Sequence, residues 1–169
     1  MTVRKKLFLT KIISGGQTGV DQAALRAAVD CGLKTGGWCP PGCRSEEGPV
    51  PVLFGLQETP HDVSPGLEDI PRSQRTHWNV RDSDVTVVFN PDHCDDNGTA
   101  ATLRVADDLG KPLFMITRTR EKNTSEFISW LQSQEAEILN VAGPSESVCP
   151  GIGRRAYAFM SIVFKTCMT

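Results

Sequence analysis

Apolar positions along this chain follow two alternating rhythms. Leu7–Ser14 is an apolar run of strand length, interrupted at Thr10 and Lys11, and reads as a buried strand. Val20–Cys31 then places Val20, Ala24, Ala27, Ala28 and Cys31 at i, i+4, i+7, i+8 and i+11, one face of a helix, with Gly32 as its stop. Leu33–Trp38 predicts a short second strand and Arg75–Asp82 a short helix. Asp84–Asn90 is the clearest strand, because it is rich in β-branched residues. A helix is predicted from Gly98-Thr99 to Leu109, stopped by Gly110-Lys111-Pro112. Leu113–Thr117 reads as a strand, Asn123-x-x-Glu126 as a capping-box start for a helix carrying Phe127, Ile128 and Leu131, and Ile138–Ala142 as the last strand. Pro150-Gly151 opens a final helix with Ile152, Ala156, Phe159, Met160, Val163 and Cys167 on one face. Strands alternating with helices predict a three-layer α/β fold, a mostly parallel sheet covered on both faces.

One stretch breaks the alternation. Cys39–Arg72 holds seven of the eleven prolines, with glycines at 42, 48, 55 and 66. An irregular excursion of this length is expected to be a lid, a binding loop or an ordered cover. Leu53, Phe54 and Leu56 predict that part of it packs down. No second core follows, so residues 1–169 read as one domain, of a size that buries a full core.

Composition narrows the class. Apolar content of 39% and charged content of 22% are ordinary for a globular chain, and a net charge of −2 gives no support to general nucleic-acid binding. No apolar run approaches a membrane span. The basic start of Met1–Ile13 resembles a signal peptide superficially, but Lys11 breaks it and a glycine turn follows, so it reads as an edge residue and first strand. Six cysteines at irregular spacings, without C-x-x-C, read as free thiols in a reducing compartment; the expected location is the cytoplasm. Cys39-x-x-x-Cys43 is half of a zinc pattern whose other half is missing.

In parallel α/β sheets ligands sit beyond the carboxyl ends of the strands. The loops there are Gly15–Gly19, Cys39–Glu47, Asn90–Thr99, Thr117–Lys122 and Gly143–Gly151. Ile13-Ser-Gly-Gly-Gln-Thr-Gly-Val-Asp21 joins a strand to a helix through a glycine turn, a device that can hold an anion on free backbone N–H groups. It lacks the Lys-Ser/Thr of a P-loop and the G-x-G-x-x-G spacing of dinucleotide sites. Asn97-Gly98-Thr99 offers a second turn of the same kind. Arg154 and Arg155 stand in the first turn of the last helix, where a cation opposes the dipole unless an anion or acidic neighbour offsets it. Arg118, Arg120 and Lys122 add positive potential after a strand. Asp92-His93-Cys94-Asp95-Asp96 reads as a solvated loop. No catalytic or metal-binding set is predicted.

Several motifs then resemble one family. Ser14-Gly-Gly-Gln-Thr-Gly-Val-Asp21, Pro41-Gly42-x-Arg44-Ser-Glu46, Arg75-Thr-x-x-Asn79-Val80, Asp82-Ser-Asp84, Gly98-Thr99, Lys111-Pro112 and Leu139-Asn-Val-Ala-Gly-Pro144-x-Glu146-Ser147-x-x-Pro150-Gly151-Ile152 are similar to those of the molybdenum carrier family, proteins like the molybdenum cofactor carrier of green algae. The resemblance spans about residues 12–160. It implies a Rossmann-like fold related to the lysine-decarboxylase-like (LOG) group, and a binding protein that protects and hands on molybdenum cofactor (molybdopterin) as cargo. It implies homo-oligomers, tetramers by likeness, with molybdoenzymes or cofactor-biosynthesis proteins as partners and neither nucleic acid nor membrane. From these motifs and the loops at the sheet's carboxyl edge together, the candidate cofactor-binding set is Gly15, Gly16, Gln17, Thr18, Arg44, Arg75, Asn79, Asn90, Gly98, Thr99, Arg118 and Ser147. Two departures stand out: the glutamate that LOG hydrolases carry after their Gly-Thr motif is absent from Ala100–Leu103, and Ser145 stands where arginine is expected. The other readings are an enzyme or sensor acting on a nucleotide or nucleotide-sugar phosphate, and a domain whose pocket is vestigial.

Overall fold

Five strands that pair only through parallel ladders organise the chain. The computed structural model describes residues 7–167; the first part of the Met1–Ile13 run lies outside the described residues. The elements are β1 (Lys11–Ile13), α1 (Val20–Asp30), β2 (Lys34–Gly36), β3 (Trp38–Cys39), β4 (Arg44–Ser45), β5 (Gly48–Pro49), a 3-10 turn (Val52–Phe54) and β6 (Gln57–Glu58). Then come α2 (Ser73–Arg81), β7 (Val85–Phe89), α3 (Asn97–Asp108), β8 (Leu113–Ile116), α4 (Glu121–Gln134), β9 (Ile138–Ala142) and α5 (Ile152–Cys167).

The central sheet runs β2-β1-β9-β7-β8, every pairing parallel, with Ile12 opposite both Thr35 and Leu139 and Val87 opposite both Phe114 and Val141. All five residues of β7 are buried, which is why its sequence is a continuous apolar run rather than an alternating one. Parallel neighbours need crossovers, and these are right-handed almost without exception. That rule places α1 and α4 on one face and α2 and α3, packed on each other, on the other; the terminal α5 joins the first face by packing on α1 and α4. The result is the three-layer α/β fold that the alternation of elements predicted, Rossmann-like as the family resemblance implied.

The larger core lies between the sheet and α1, α4 and α5. Ala24, Ala27 and Ala28 of α1 are fully buried and small enough to let that helix approach Ala156 and Met160 of α5 closely. Phe89 of β7 meets Phe159 of α5 edge to face, with ring centroids 5.6 Å apart, and Phe127 of α4 completes the group. Burying each such ring stabilises the fold by about 1.5–3 kcal/mol. Leu67, Val80, Val105 and Ala106 form the smaller core under α2 and α3.

The excursion is an ordered cover, less irregular than its composition predicts. β3 pairs with β6 in parallel and β4 with β5 as a hairpin. Phe54 and Val50 close on Leu25 of α1, with Leu56 partly buried beside them. Leu53 is half exposed, so only part of the predicted apolar trio packs down.

Three expectations need correction. β1 is shorter than the apolar run: Leu7 and Leu9 are buried, but pairing is confined to Lys11–Ile13. α4 starts before Asn123, because the Thr124 N–H already bonds the Arg120 carbonyl at 3.1 Å and closes a turn there. The cysteines are not all free thiols. Cys39 is bonded to Cys43 and Cys94 to Cys149, leaving Cys31 and Cys167 free among the described residues. Tertiary folding brings the second pair together across 55 residues, which no local spacing could announce. Cys39 and Cys43 are thereby accounted for without zinc. No described helix is long and apolar enough to cross a membrane.

Candidate functional site

The loop after β1 owes its course to two glycines. A Cβ on Gly15 would lie 2.0 Å from Arg75 Nη1, so only glycine lets that guanidinium cross the turn. Gly19 has φ +75°, and a Cβ there would lie 2.4 Å from the Pro144 carbonyl oxygen, so the loops after β1 and β9 touch through backbone. Between them the chain enters α1, and Asp21 in its first turn is buried. Arg75 from α2 donates to Asp21 Oδ2 at 2.9 Å, and the Gln17 N–H donates to the same oxygen at 3.2 Å. Burial pushes the Asp21 carboxyl above its ordinary range, and the Arg75 charge partly opposes that.

A second carboxylate ties the excursion down. Glu46 accepts from the Thr18 hydroxyl, from the Ser147 N–H at 3.1 Å and from the Ser147 hydroxyl at 2.5 Å. The hydrogen bonds from Ser147 and Thr18 hold its carboxyl below the ordinary 4.5. Gln17 Oε1 accepts from the Thr18 and Glu46 N–H groups, completing the latch.

These contacts frame a cleft of about 330 Å³ at the carboxyl edge of β1 and β9, roofed by α2 and closed by the start of α3. It sits where the chain winds from β1 one way and from β7 the other, the place where such sheets bind ligands. Of the twelve candidate residues, Gly15, Gln17, Arg75, Asn79, Gly98 and Ser147 line it. Gly16 and Thr18 are buried beside it and serve the loop itself. Thr99 is buried, its N–H and hydroxyl both given to Asp96 Oδ2 at 2.8 Å. Arg44 is exposed on β4, and Asn90 lines neither this cleft nor its neighbour. Arg118 belongs to the neighbouring cavity. Residue-level reading missed Asp21 as a cleft residue, and also Glu46, Asp96, Arg72, Thr76 and Thr102. The i, i+3 spacing of Asp96 and Thr99 was a legible capping signal; the convergence of Asp21 with Arg75, 54 residues apart, was not.

The helix ends at this edge differ from expectation in one respect. An open helix N-terminus attracts anions, yet here the protein's own side chains occupy those of α3 and α5, and two amides of the loop before α1. Asp96 caps α3. Glu146 accepts from the Gly153 N–H at 3.0 Å and from that of Gly151 at the head of α5. Gln17 and Asp21 take the amides of Thr18 and Gln17 before α1. A polar group that lacks a protein partner lines the cleft itself: Arg75 Nε is buried without one among the described residues.

A second cavity of about 250 Å³ opens beyond β7 and β8. Phe89, Ile116 and Ile152 line its apolar side, and Arg118, Arg120, Arg155 and His93 its polar side. The Cys94–Cys149 disulfide joins the two loops that separate the cavities. Cys94 lies between His93 of the second cavity and Asp96 of the cleft, and Cys149 between Val148 of the cleft and Ile152 of the second cavity. His93, Cys94 and Cys149 place their ligand-type atoms within 4.8 Å of one another, but here both sulfurs are spent in the disulfide. The Asp92–Asp96 segment, expected to be a solvated loop, therefore carries a cap, a buried cross-link and a cavity wall.

The family model described as the circularly permutated YpsA SLOG family matches residues 12–164, and the chain belongs to that family. The crystal structure of a protein named "Putative molybdenum carrier protein", from Syntrophus aciditrophicus SB, is similar to it. The two share 36% identity over 94% of this chain and 96% of that one, with a TM-score of 0.83. Among curated proteins nothing matches.

Proposed function

We propose that this protein binds molybdenum cofactor as cargo in the cleft between α2 and the loops after β1 and β9, and holds it for storage or transfer. The observation that carries the reading is Arg75: a guanidinium fixed by Asp21 across Gly15, lining the cleft, with a buried Nε that lacks an acceptor. A ligand oxygen would satisfy it, and Arg72 at the rim adds a second cation. The cargo's chemistry fits the mixed lining. Its terminal phosphate suits Arg72 and Arg75, while the N–H edge of a pterin suits carboxylates such as Asp21 and Asp96. The name of the similar Syntrophus protein supports the same cargo. On this reading Gly15, Gln17, Asn79, Gly98 and Ser147 shape the cleft, recipients are molybdoenzymes or cofactor-biosynthesis proteins, and the carrier is a homo-oligomer.

Purified cofactor should bind the wild-type chain at one site. Arg72→Ala, at an exposed residue, should weaken binding about tenfold, the worth of one charge-assisted hydrogen bond. Arg75→Gln should weaken it further. Unchanged affinity in both variants would sink this site.

One observation favours a second reading, an enzyme or sensor acting on a nucleotide or nucleotide-sugar phosphate. Asp21 is a cleft carboxyl with its pKa raised by burial beside a cation, the kind of group that acid–base chemistry uses. Thermal shifts against nucleoside phosphates and against the cofactor separate the two. A large shift with a nucleotide alone reverses the ranking.

A further inference from the structure

We infer that the second cavity is a separate anion site, built for a phosphate or diphosphate group. Its position is set by the fold. The turn Thr117–Arg120 follows β8 directly and puts Arg118 and Arg120 on the opening, with Arg120 at the N-cap of α4. The first turn of α5 brings Arg155 from the opposite side, and the loop after β7 brings His93. Three arginines thus line one space.

Their pairing is the telling part. Among the described residues none of the three arginines makes an ion pair, and the contact Arg155 does make is a long one, from Nη2 to Cys149 Sγ at 3.6 Å. No carboxylate lines the cavity. Gathering like charges on one opening is unfavourable unless something of opposite charge sits among them. Among the described residues that line it nothing of that kind is present, in contrast with the cleft, where Asp21 answers Arg75. The N-terminus of α4 also carries no side-chain cap, unlike that of α3.

The chemistry selects the occupant. Guanidinium forks bind tetrahedral oxyanions in bidentate fashion, and a diphosphate engages more than one fork at once. The buried side chains of Phe89, Ile116 and Ile152 give no partner for further polar groups, so recognition rests on the charged rim. This site goes beyond the cleft reading and does not rest on it.

Calorimetric titration of the full chain tests it, with pyrophosphate and phenyl phosphate as separate probes. The wild type should bind at least one of them with 1:1 stoichiometry. Tighter pyrophosphate supports a free anion as occupant, and tighter phenyl phosphate supports the end of an organic ester. The double variant Arg118→Ala/Arg155→Ala should lose at least tenfold in affinity, while Lys165→Ala, at the far end of α5, should change nothing. All three residues named in these variants are exposed, and equal melting temperatures check that the fold is intact. Binding that survives Arg118→Ala/Arg155→Ala but falls in Arg72→Ala places the anion in the cleft and overturns the inference. So does the absence of any binding in the wild type. Neither result touches the cofactor titration on the cleft.

Discussion

Two cavities share the carboxyl edge of one sheet and treat charge in opposite ways. In the cleft the buried cation and two of the helix ends have an answer from the protein: Asp21 for Arg75, Asp96 for α3, Glu146 for α5, with Arg72 exposed at the rim. In the neighbouring cavity Arg118, Arg120 and Arg155 meet no carboxylate among its lining residues. The first arrangement is preorganised, with partners bought out of water at folding and held rigid. The second leaves positive charge to solvent until a ligand comes. Fold position alone therefore does not tell where an anion binds, because both cavities obey the sheet-edge rule.

The sharpest way to break this comparison is to remove one partner on each side. Asp21→Ala strands a buried guanidinium and should cost about 3 kcal/mol or more in urea unfolding. Arg118→Ala removes an exposed, unpaired charge and should change stability by less than about 0.5 kcal/mol. Equal effects would mean that the two cavities are not built differently.

Next in size comes the wall between them. The Cys94–Cys149 bond closes a long loop, and replacing both residues by alanine should cost about 2–4 kcal/mol. Replacing Cys39 and Cys43, which close a short loop, should cost less. If the order is reversed in melts of the two variants, the cross-link between the cavities is not a stabilising element.

The smallest expected effect sharpens the picture of the Glu46 latch. Its carboxyl titrates lower in the folded chain than its ordinary 4.5. The stability it contributes is therefore fully present above pH 4.5 and is lost as pH falls through the folded value. The difference between wild type and Glu46→Gln should stay constant from pH 8 to pH 5, amount to less than about 1 kcal/mol because the group is exposed, and vanish in acid. A difference that persists at low pH would show that the carboxylate's charge plays no part.

Much of the fold was legible because it rests on local rules. The buried run of β7, the alanine face of α1 and the seven-residue-spaced apolar stripe of α5 each follow from one period, and the alternation of periods implied the parallel sheet. The glycine turn after β1 was also legible, since Gly15 and Gly19 are needed for close approach. What the turn does was not. Its amides looked available to an anion, but Asp21 and the Gln17 side chain use them, and that depends on rotamers fixed by Arg75 and Glu46 from distant segments. Arg44 shows the same limit from the other side: it stands in a family-like motif yet ends exposed on a hairpin.

The amino-acid order by itself determined the elements, their sequence and the parallel sheet, because periodicity, caps and turn glycines act over a few residues. It also determined which loops would crowd the sheet's carboxyl edge. Only the tertiary structure decided that those loops divide into two cavities, that Cys94 and Cys149 pair between them, and that Arg75 is answered by a carboxylate while Arg118, Arg120 and Arg155 are not. Such pairings depend on which side chains fold to within about 3 Å of each other, the reach of a hydrogen bond, and residues 54 or 55 positions apart carry no local signal of that distance.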